Sequence, residues 1–297
     1  MEKVEFLGLK NCLRIANESI ELIATTDIGP NVVRFGFIGD RNEFFGEPPR
    51  FYGGHAMRHA PEAQERKFPA LDPVVVTEHD TFVRLTQPTE KPTGIQKEMD
   101  IPSVIEDNHV SIVHRLYNRG LWPIEIAPWA SSLMPPGGNG RAIVPLPPRY
   151  PRRGGGPLTP TCSIAVWCYC KLNDPRLVLG EKYVMLKQDA AVPGAYKFGM
   201  MVSDGWAAYY NDGHLFVVTY DYKPDAIYPD FNSPVELFTA EEFEFETVAP
   251  LAKLNPGASV EHIENWHLFR DIPQPQNDTD IDRNILPLIL KIKSAQR

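Results

Sequence analysis

The side chains able to do chemistry in this chain gather in a few short segments. Tyr52-Gly53-Gly54-His55-Ala56-Met57-Arg58-His59-Ala60-Pro61-Glu62 sets two imidazoles, a guanidinium and a carboxylate just behind a double glycine. Glycine lets a backbone turn sharply and approach a ligand closely. Imidazoles move protons near neutral pH. The plainer reading is a surface loop whose histidines only cap and turn. In Thr93-Gly94-Ile95-Gln96-Lys97-Glu98-Met99, strand geometry puts Ile95 and Lys97 on one face and Gln96 and Glu98 on the other. Lys97 would then bind a polar ligand, or the charges would mark an edge strand that resists pairing.

Two further segments carry carboxylates. In Pro123-Ile124-Glu125-Ile126-Ala127-Pro128-Trp129, the two isoleucines share one face, and Glu125, Ala127 and Trp129 share the other. An indole face suits the C–H surface of a pyranose, and an adjacent acid suits its hydroxyls. Alternatively Trp129 packs on the second face of a sandwich with Glu125 at its rim. Glu241-Glu242-Phe243-Glu244-Phe245-Glu246-Thr247 sends two phenylalanines to a core and Glu242, Glu244 and Glu246 to the opposite side. Like charges so spaced repel. On an open face they are solvated. In a concave cleft, repulsion and burial would raise a carboxyl pKa and create a general base.

These residues need a scaffold, and composition narrows it. The chain has 297 residues, with 43% apolar and 23% charged, enough for a hydrophobic core. Proline is unusual: 29 residues, about twice the average share. Proline lacks an N–H and clashes with the preceding helical turn, so a helical bundle is excluded. Alternating apolar runs recur in short stretches, among them Val32–Ile38, Val110–Tyr117, Leu215–Tyr220 and Ser259–Leu268. Turn signals such as Asp27-Ile28-Gly29-Pro30 and Asn211-Asp212-Gly213 separate them. Many short strands without intervening helices predict an all-β, antiparallel sandwich. Pro135–Pro160, with eight prolines and six glycines, reads as a long loop inside a single domain spanning 1–297. Ile285–Ile292 reads as a short terminal helix or strand.

Several function classes drop out. The net charge of −8 suits nucleic acid poorly, and the basic run Arg149–Arg153 reads as a solvated loop. No apolar stretch reaches membrane-spanning length, and no signal peptide is visible, so a cytoplasmic location is the expectation. Cys168 and Cys170 alternate along a strand-like run without a second metal-spaced pair, so the four cysteines read as buried free thiols. His262 and His267 fall on opposite faces of the last strand by parity and do not pair as ligands. Glycine-rich nucleotide loops, zinc-protease and serine-hydrolase motifs are missing. No cofactor and no metal are expected.

The order of motifs resembles a family. Phe245-Glu246-Thr247, then Pro250, Asn255-Pro256-Gly257 and a strand ending in Trp266-His267-Leu268-Phe269, resembles the C-terminal end of aldose 1-epimerases. Asp27–Val33 is similar to that family's first glycine turn, and Val110–Trp129 to its central pair of strands. The glycine–histidine segment and Thr-Gly-Ile-Gln-Lys-Glu resemble an uncharacterised branch of the galactose mutarotase-like superfamily. The resemblance implies a β-supersandwich with a sugar cleft on its concave face. It also implies a glutamate that takes the anomeric hydroxyl proton and a histidine that protonates the ring oxygen. Glu246 matches the base. Trp129 stands where the family has its key histidine, and the Asn-Arg-Ile motif is replaced by Gly54–Glu62.

The resulting expectation is an aldose 1-epimerase-like protein acting on a sugar or sugar derivative. Glu246 would be the base and His55 the acid, with His59 second. Arg58, Glu62, Lys97, Glu125, Trp129, Lys197 and Glu244 would bind substrate. Lys97 and Lys197 together would favour a uronate or sugar phosphate, although Lys197 also reads as an ordinary exposed lysine. The rival is a non-catalytic carbohydrate-binding protein. A lyase or hydrolase would need a further acid or a tyrosine such as Tyr209 or Tyr210. All of these readings require the acidic row to face a hollow shared with the glycine–histidine segment.

Overall fold

The structure, a computed structural model, describes residues 1–46, 53–63, 70–135, 139–150 and 158–295. Two large antiparallel sheets face each other. The first runs β1 (Glu2–Phe6), β2 (Leu9–Ala16), β3 (Ile20–Thr25), β4 (Asn31–Phe37), β5 (His55–Ala60), β10 (Ile124–Met134), β19 (Phe243–Val248), β18 (Val235–Thr239), β15 (Tyr196–Met200) and β12 (Ile164–Val166). The short β20 (Ala252–Leu254) also pairs with β10. The second runs β13 (Leu177–Leu179), β14 (Tyr183–Lys187), β11 (Arg141–Pro145), β16 (Trp206–Asn211), β17 (His214–Thr219), β21 (Ser259–Phe269), β9 (His109–Asn118), β8 (Ile95–Pro102), β7 (Phe82–Thr86) and β6 (Val75–Glu78). This is the antiparallel sandwich that the alternating pattern predicts.

Period-two alternation explains which side chains meet between the sheets. Phe35, Phe44, Phe216, Phe245 and Trp266 interlock there, with ring centroids 5.4–6.1 Å apart. Each buried aromatic of this kind contributes about 1.5–3 kcal/mol through apolar burial. Asn211 and His214 are register partners across the β16–β17 hairpin, and the residues between them, Asp212 and Gly213, have φ of 40° and 90°. Both central positions of such a tight turn need positive φ, which explains the Asp-Gly pair.

The outer face of the second sheet is closed by the chain's C-terminal segment. There, well after the short α1 (Pro229–Asn232) in the chain, α2 (Asp278–Asn284) and α3 (Leu286–Ala295) press Ile281, Ile285, Ile289 and Ile292 onto Ile143, Met185, Trp206 and Tyr210. The spacing of those isoleucines is that of one helical stripe. Asn277 caps α2 by accepting a hydrogen bond from the Asp280 N–H. The helical option for Ile285–Ile292 is therefore the observed one. No helix among the described residues is long and apolar enough to cross a membrane.

Three local expectations are corrected. The Pro135–Pro160 stretch is not all loop: Arg141–Pro145 is a wholly buried strand paired on both sides by β14 and β16. Its five residues are swamped in sequence by flanking proline and glycine, part of which (136–138 and 151–157) lies outside the described residues. Cys168 is exposed and Cys170 half-buried, because β12 ends at Val166 and a turn follows. Finally, β8 is an interior strand between β7 and β9, so its charges do not guard an edge.

Candidate active site on the outer face of the first sheet

Residues directly opposite one another in antiparallel strands project to the same face. Glu246 lies opposite Ser131 on β10 and opposite Glu236 on β18. Trp129 lies opposite Arg58 on β5. Lys197, Phe238, Glu244 and Leu133 fill the neighbouring row. The phenylalanines of β19 occupy the inter-sheet core, so its glutamates point to the sheet's other side. A cleft of about 810 Å³ opens there, with Arg58, Leu133, Phe238 and Glu244 in its walls. The double-glycine segment contributes Gly53 to the same cleft.

A charged knot adjoins this cleft without lining it, joined to it through Arg58 and Glu244. The Lys197 ammonium is 2.8 Å from Glu236 Oε2 and 3.0 Å from Glu246 Oε2. It is also flanked by the Trp129 and Trp167 rings, at 4.6 and 4.7 Å from their centroids. Arg58 stacks over Trp129 at 5.4 Å and reaches Glu244 at 3.4 Å. Glu246 has no exposed surface, and Glu236 and Lys197 are nearly as buried. Lys197 is thus no exposed lysine.

Burial sets the protonation of this group. Desolvation pushes Glu246 up to about 7; Lys197 opposes the rise and Glu244 adds to it. Desolvation also raises Glu236 well above the carboxylate range, against the pull of Lys197 and with the help of Glu246. Lys197 stays protonated because its two carboxylates outweigh the cost of burial. Two carboxylates around one ammonium titrate as a linked set, and burial drives both acids upward. Apart from the Lys197 ion pairs, both Glu246 oxygens, Glu236 Oε1 and Trp129 Nε1 make no hydrogen bond among the described residues. Buried polar atoms of this kind call for partners.

The histidines do not share this hollow. The glycine–histidine segment becomes strand from His55 onward, and alternation sends Arg58 outward but His55 and His59 into the space between the sheets. His55 is fully buried, with Nδ1 2.8 Å from Ser132 Oγ and Nε2 2.7 Å from His114 Nε2. Desolvation, reinforced by His114 and His262, keeps its imidazole neutral. It therefore cannot serve as the acid partner of Glu246. His59 Nε2 lies 3.9 Å from Glu90, and Lys97 pairs with the same carboxylate at 2.7 Å. Burial works to raise Glu90, but the nearby His59, the Lys97 ammonium and the Thr93 hydroxyl together pull it down to about 2. His59 and Lys97 thus belong to a second, separate buried cluster.

The remaining candidates divide clearly. Glu62 is exposed and lies near enough to Arg58 to act on its charge. Glu125 is on the Trp129 face but four residues along β10, roughly 13 Å away, opposite Lys253. Tyr209 is locked in the inter-sheet core, and Tyr210 packs under the C-terminal helices. Neither reaches the cleft. Tyr52 lies outside the described residues. The sequence reading missed Glu236 and Trp167. A lone acid in the apolar run Val235-Glu236-Leu237-Phe238 was the available signal for the first.

Known structures share this architecture. A provisionally assigned aldose 1-epimerase from Escherichia coli K12 superposes with a TM-score of 0.59 at 11% identity, over 88% of this chain and 99% of that one. A galactose mutarotase-like protein from Lactobacillus casei gives 0.57 at 14% identity, over 87% and 100%. A TPR-domain containing protein from Parabacteroides distasonis gives 0.60 at 14%, over 89% of this chain and 48% of that one, so this chain spans about half of it. No family model matches the sequence. No curated protein matches it either. The two-sheet topology and these superpositions together establish that the chain has the galactose mutarotase-like β-sandwich fold.

Proposed function

We propose that the chain binds an aldose or aldose derivative in the cleft of the first sheet and interconverts its anomers, with Glu246 as base and Glu236 as acid. The observation that carries this reading is the pair of buried carboxylates around Lys197 whose remaining oxygens lack donors. Sugar hydroxyls are donors of the right kind, and Trp129 offers an apolar ring. The superposed epimerase and mutarotase-like structures support the same substrate class.

In this scheme ionised Glu246 takes the proton from the anomeric hydroxyl. Protonated Glu236 gives its proton to the ring oxygen as the bond from C1 to that oxygen breaks. The open-chain aldehyde rotates and recloses on its other face, and the two protons return. Lys197 holds charge next to whichever carboxylate is anionic at each stage. A base whose pKa lies near 7 suits proton transfer at neutral pH. Glu236 replaces the histidine expected from the family resemblance, which Trp129 displaces and which His55 does not restore.

The test is anomeric exchange in freshly dissolved aldoses and uronates, followed by polarimetry and proton exchange spectroscopy. Acceleration should appear in the wild type, fall at least about 100-fold in Glu246→Gln, and leave sugar binding intact. Saturable binding without acceleration would overturn the catalytic part and favour a non-catalytic sugar-binding protein. That second reading has one observation in its favour: Glu246 has no solvent-exposed surface. Neither binding nor acceleration with any sugar would end both.

A further inference from the structure

The centre of the sandwich holds a donor set that the sugar chemistry does not use. His55 comes from β5 of the first sheet, while His114 and Glu264 come from β9 and β21 of the second. The His55 and His114 Nε2 atoms are 2.7 Å apart, and Glu264 Oε2 lies 3.6 Å from His55 Nε2. One donor atom from each of the three falls within 4.8 Å of the others. His55 and His114 are fully buried and Glu264 nearly so. We propose that His55 Nε2, His114 Nε2 and the Glu264 carboxylate bind one divalent transition-metal ion of the zinc class, joining the two sheets at their middle.

The surrounding contacts orient these donors as ligands. His114 Nδ1 lies 3.1 Å from the His262 carbonyl, which can only accept, so Nδ1 carries the hydrogen and Nε2 presents a lone pair. Donation of the far ring N–H to a backbone carbonyl is the usual support for a metal-binding imidazole. His55 Nδ1 faces Ser132 Oγ, a hydroxyl able to donate or accept. That switch lets the His55 hydrogen sit on Nε2 without metal, donated to His114, or on Nδ1 with metal, donated to Ser132. The Glu264 carboxylate is held by Thr247 Oγ1 at 2.5 Å and by Trp266 Nε1 at 2.9 Å. Two imidazoles and one carboxylate are a borderline donor set suited to zinc, cobalt or iron. Zinc–nitrogen bonds of ~2.0–2.1 Å at a tetrahedral angle need the two Nε2 atoms roughly 3.3 Å apart. The imidazoles must therefore part by about half an ångström, while the 3.6 Å carboxylate spacing already suits the ion.

The experiment uses the full chain, purified without chelator and without a metal-affinity column. After stripping, it is titrated with Co²⁺ alone while the visible d–d band is read, and Zn²⁺ is then added in competition. One Co²⁺ per chain should produce a band that Zn²⁺ abolishes, and Zn²⁺ should raise the wild-type Tm by about 5 °C or more. The band should disappear in His114→Gln and persist in His109→Gln, which alters the stacked His109–His267 pair elsewhere on β9 and β21. If His114→Gln fails to fold, the wild-type titration decides alone. Native circular dichroism with no band and no Zn²⁺-dependent Tm rise would overturn the proposal and leave a purely hydrogen-bonded network. So would a band lost in His109→Gln but retained in His114→Gln.

Discussion

Replacing Glu246 by glutamine tests directly whether two carboxylates share one buried ammonium. In the wild type, burial raises Glu246 from 4.5 to about 7, against the pull of Lys197 and with the help of Glu244. The folded chain therefore holds this proton more tightly than the unfolded chain does. A pKa raised on folding gives stability that is fully present below the unfolded value and is lost as pH climbs through the folded one. Each pH unit inside that window is worth up to about 1.4 kcal/mol. From about pH 4.5 to about pH 7 this single group should cost the wild type about 3 kcal/mol. Glutamine has no proton to lose, and in its presence Lys197 faces Glu236 alone, one charge against one. Urea unfolding of both proteins across this range, followed by tryptophan fluorescence, gives the difference in ΔG at each pH. Titrations remote from the knot cancel in that difference, whereas Glu236, which Glu246 helps to raise, adds to it in the same direction. Glu246→Gln should gain on the wild type by about 3 kcal/mol from the acid end to the neutral end. A difference that stays flat within about 1 kcal/mol, or that moves the other way, would show Glu246 to be an ordinary carboxylate and the knot to be misread.

Arg58→Ala removes a cleft-wall donor whose side chain is 44% exposed. Sugar affinity should fall about 10-fold or more by calorimetry, while Tm moves little because the partly exposed pair with Glu244 contributes little. Trp129→Ala should cost about 3–5 kcal/mol in urea unfolding and abolish sugar binding, and Trp129→Phe should recover much of the stability. Ile289→Ala, in the stripe that seals the second sheet, should cost about 2–5 kcal/mol and leave sugar affinity unchanged. Asn118→Ala should cost about 2–4 kcal/mol in urea unfolding. Its buried amide donates to the Trp122 and Leu254 carbonyls and accepts from the Gly120 N–H, and all three lose a partner.

What could be read in advance was the face each residue takes, because alternation is local. Phe243 and Phe245 against Glu244 and Glu246 is a pattern complete within one strand, and the sheets obey it. The same rule separates Arg58 from His55 and His59 once that segment is treated as strand. The double glycine Gly53-Gly54 is a loop signal, and it masks the strand parity that begins at His55. Read as β5, the histidines fall on the face away from the acidic row.

Partnership across the fold is a different kind of information. Glu236 looks like any solvent-facing acid in Val-Glu-Leu-Phe-Thr until register sets it opposite Glu246 and brings Lys197 from β15 between them. Lys197 itself looks like any exposed lysine until Trp129 and Trp167 enclose it. His114 and His262 are far apart in the chain, yet β9 and β21 place them directly opposite one another. Periodicity cannot specify the register between such distant strands, because a shift by two residues preserves every face and changes every neighbour. The site is therefore legible as a set of inward or outward residues, while its acid–base pairing depends on long-range register. For that reason the histidine expected as acid gave way to a glutamate that no short motif marks.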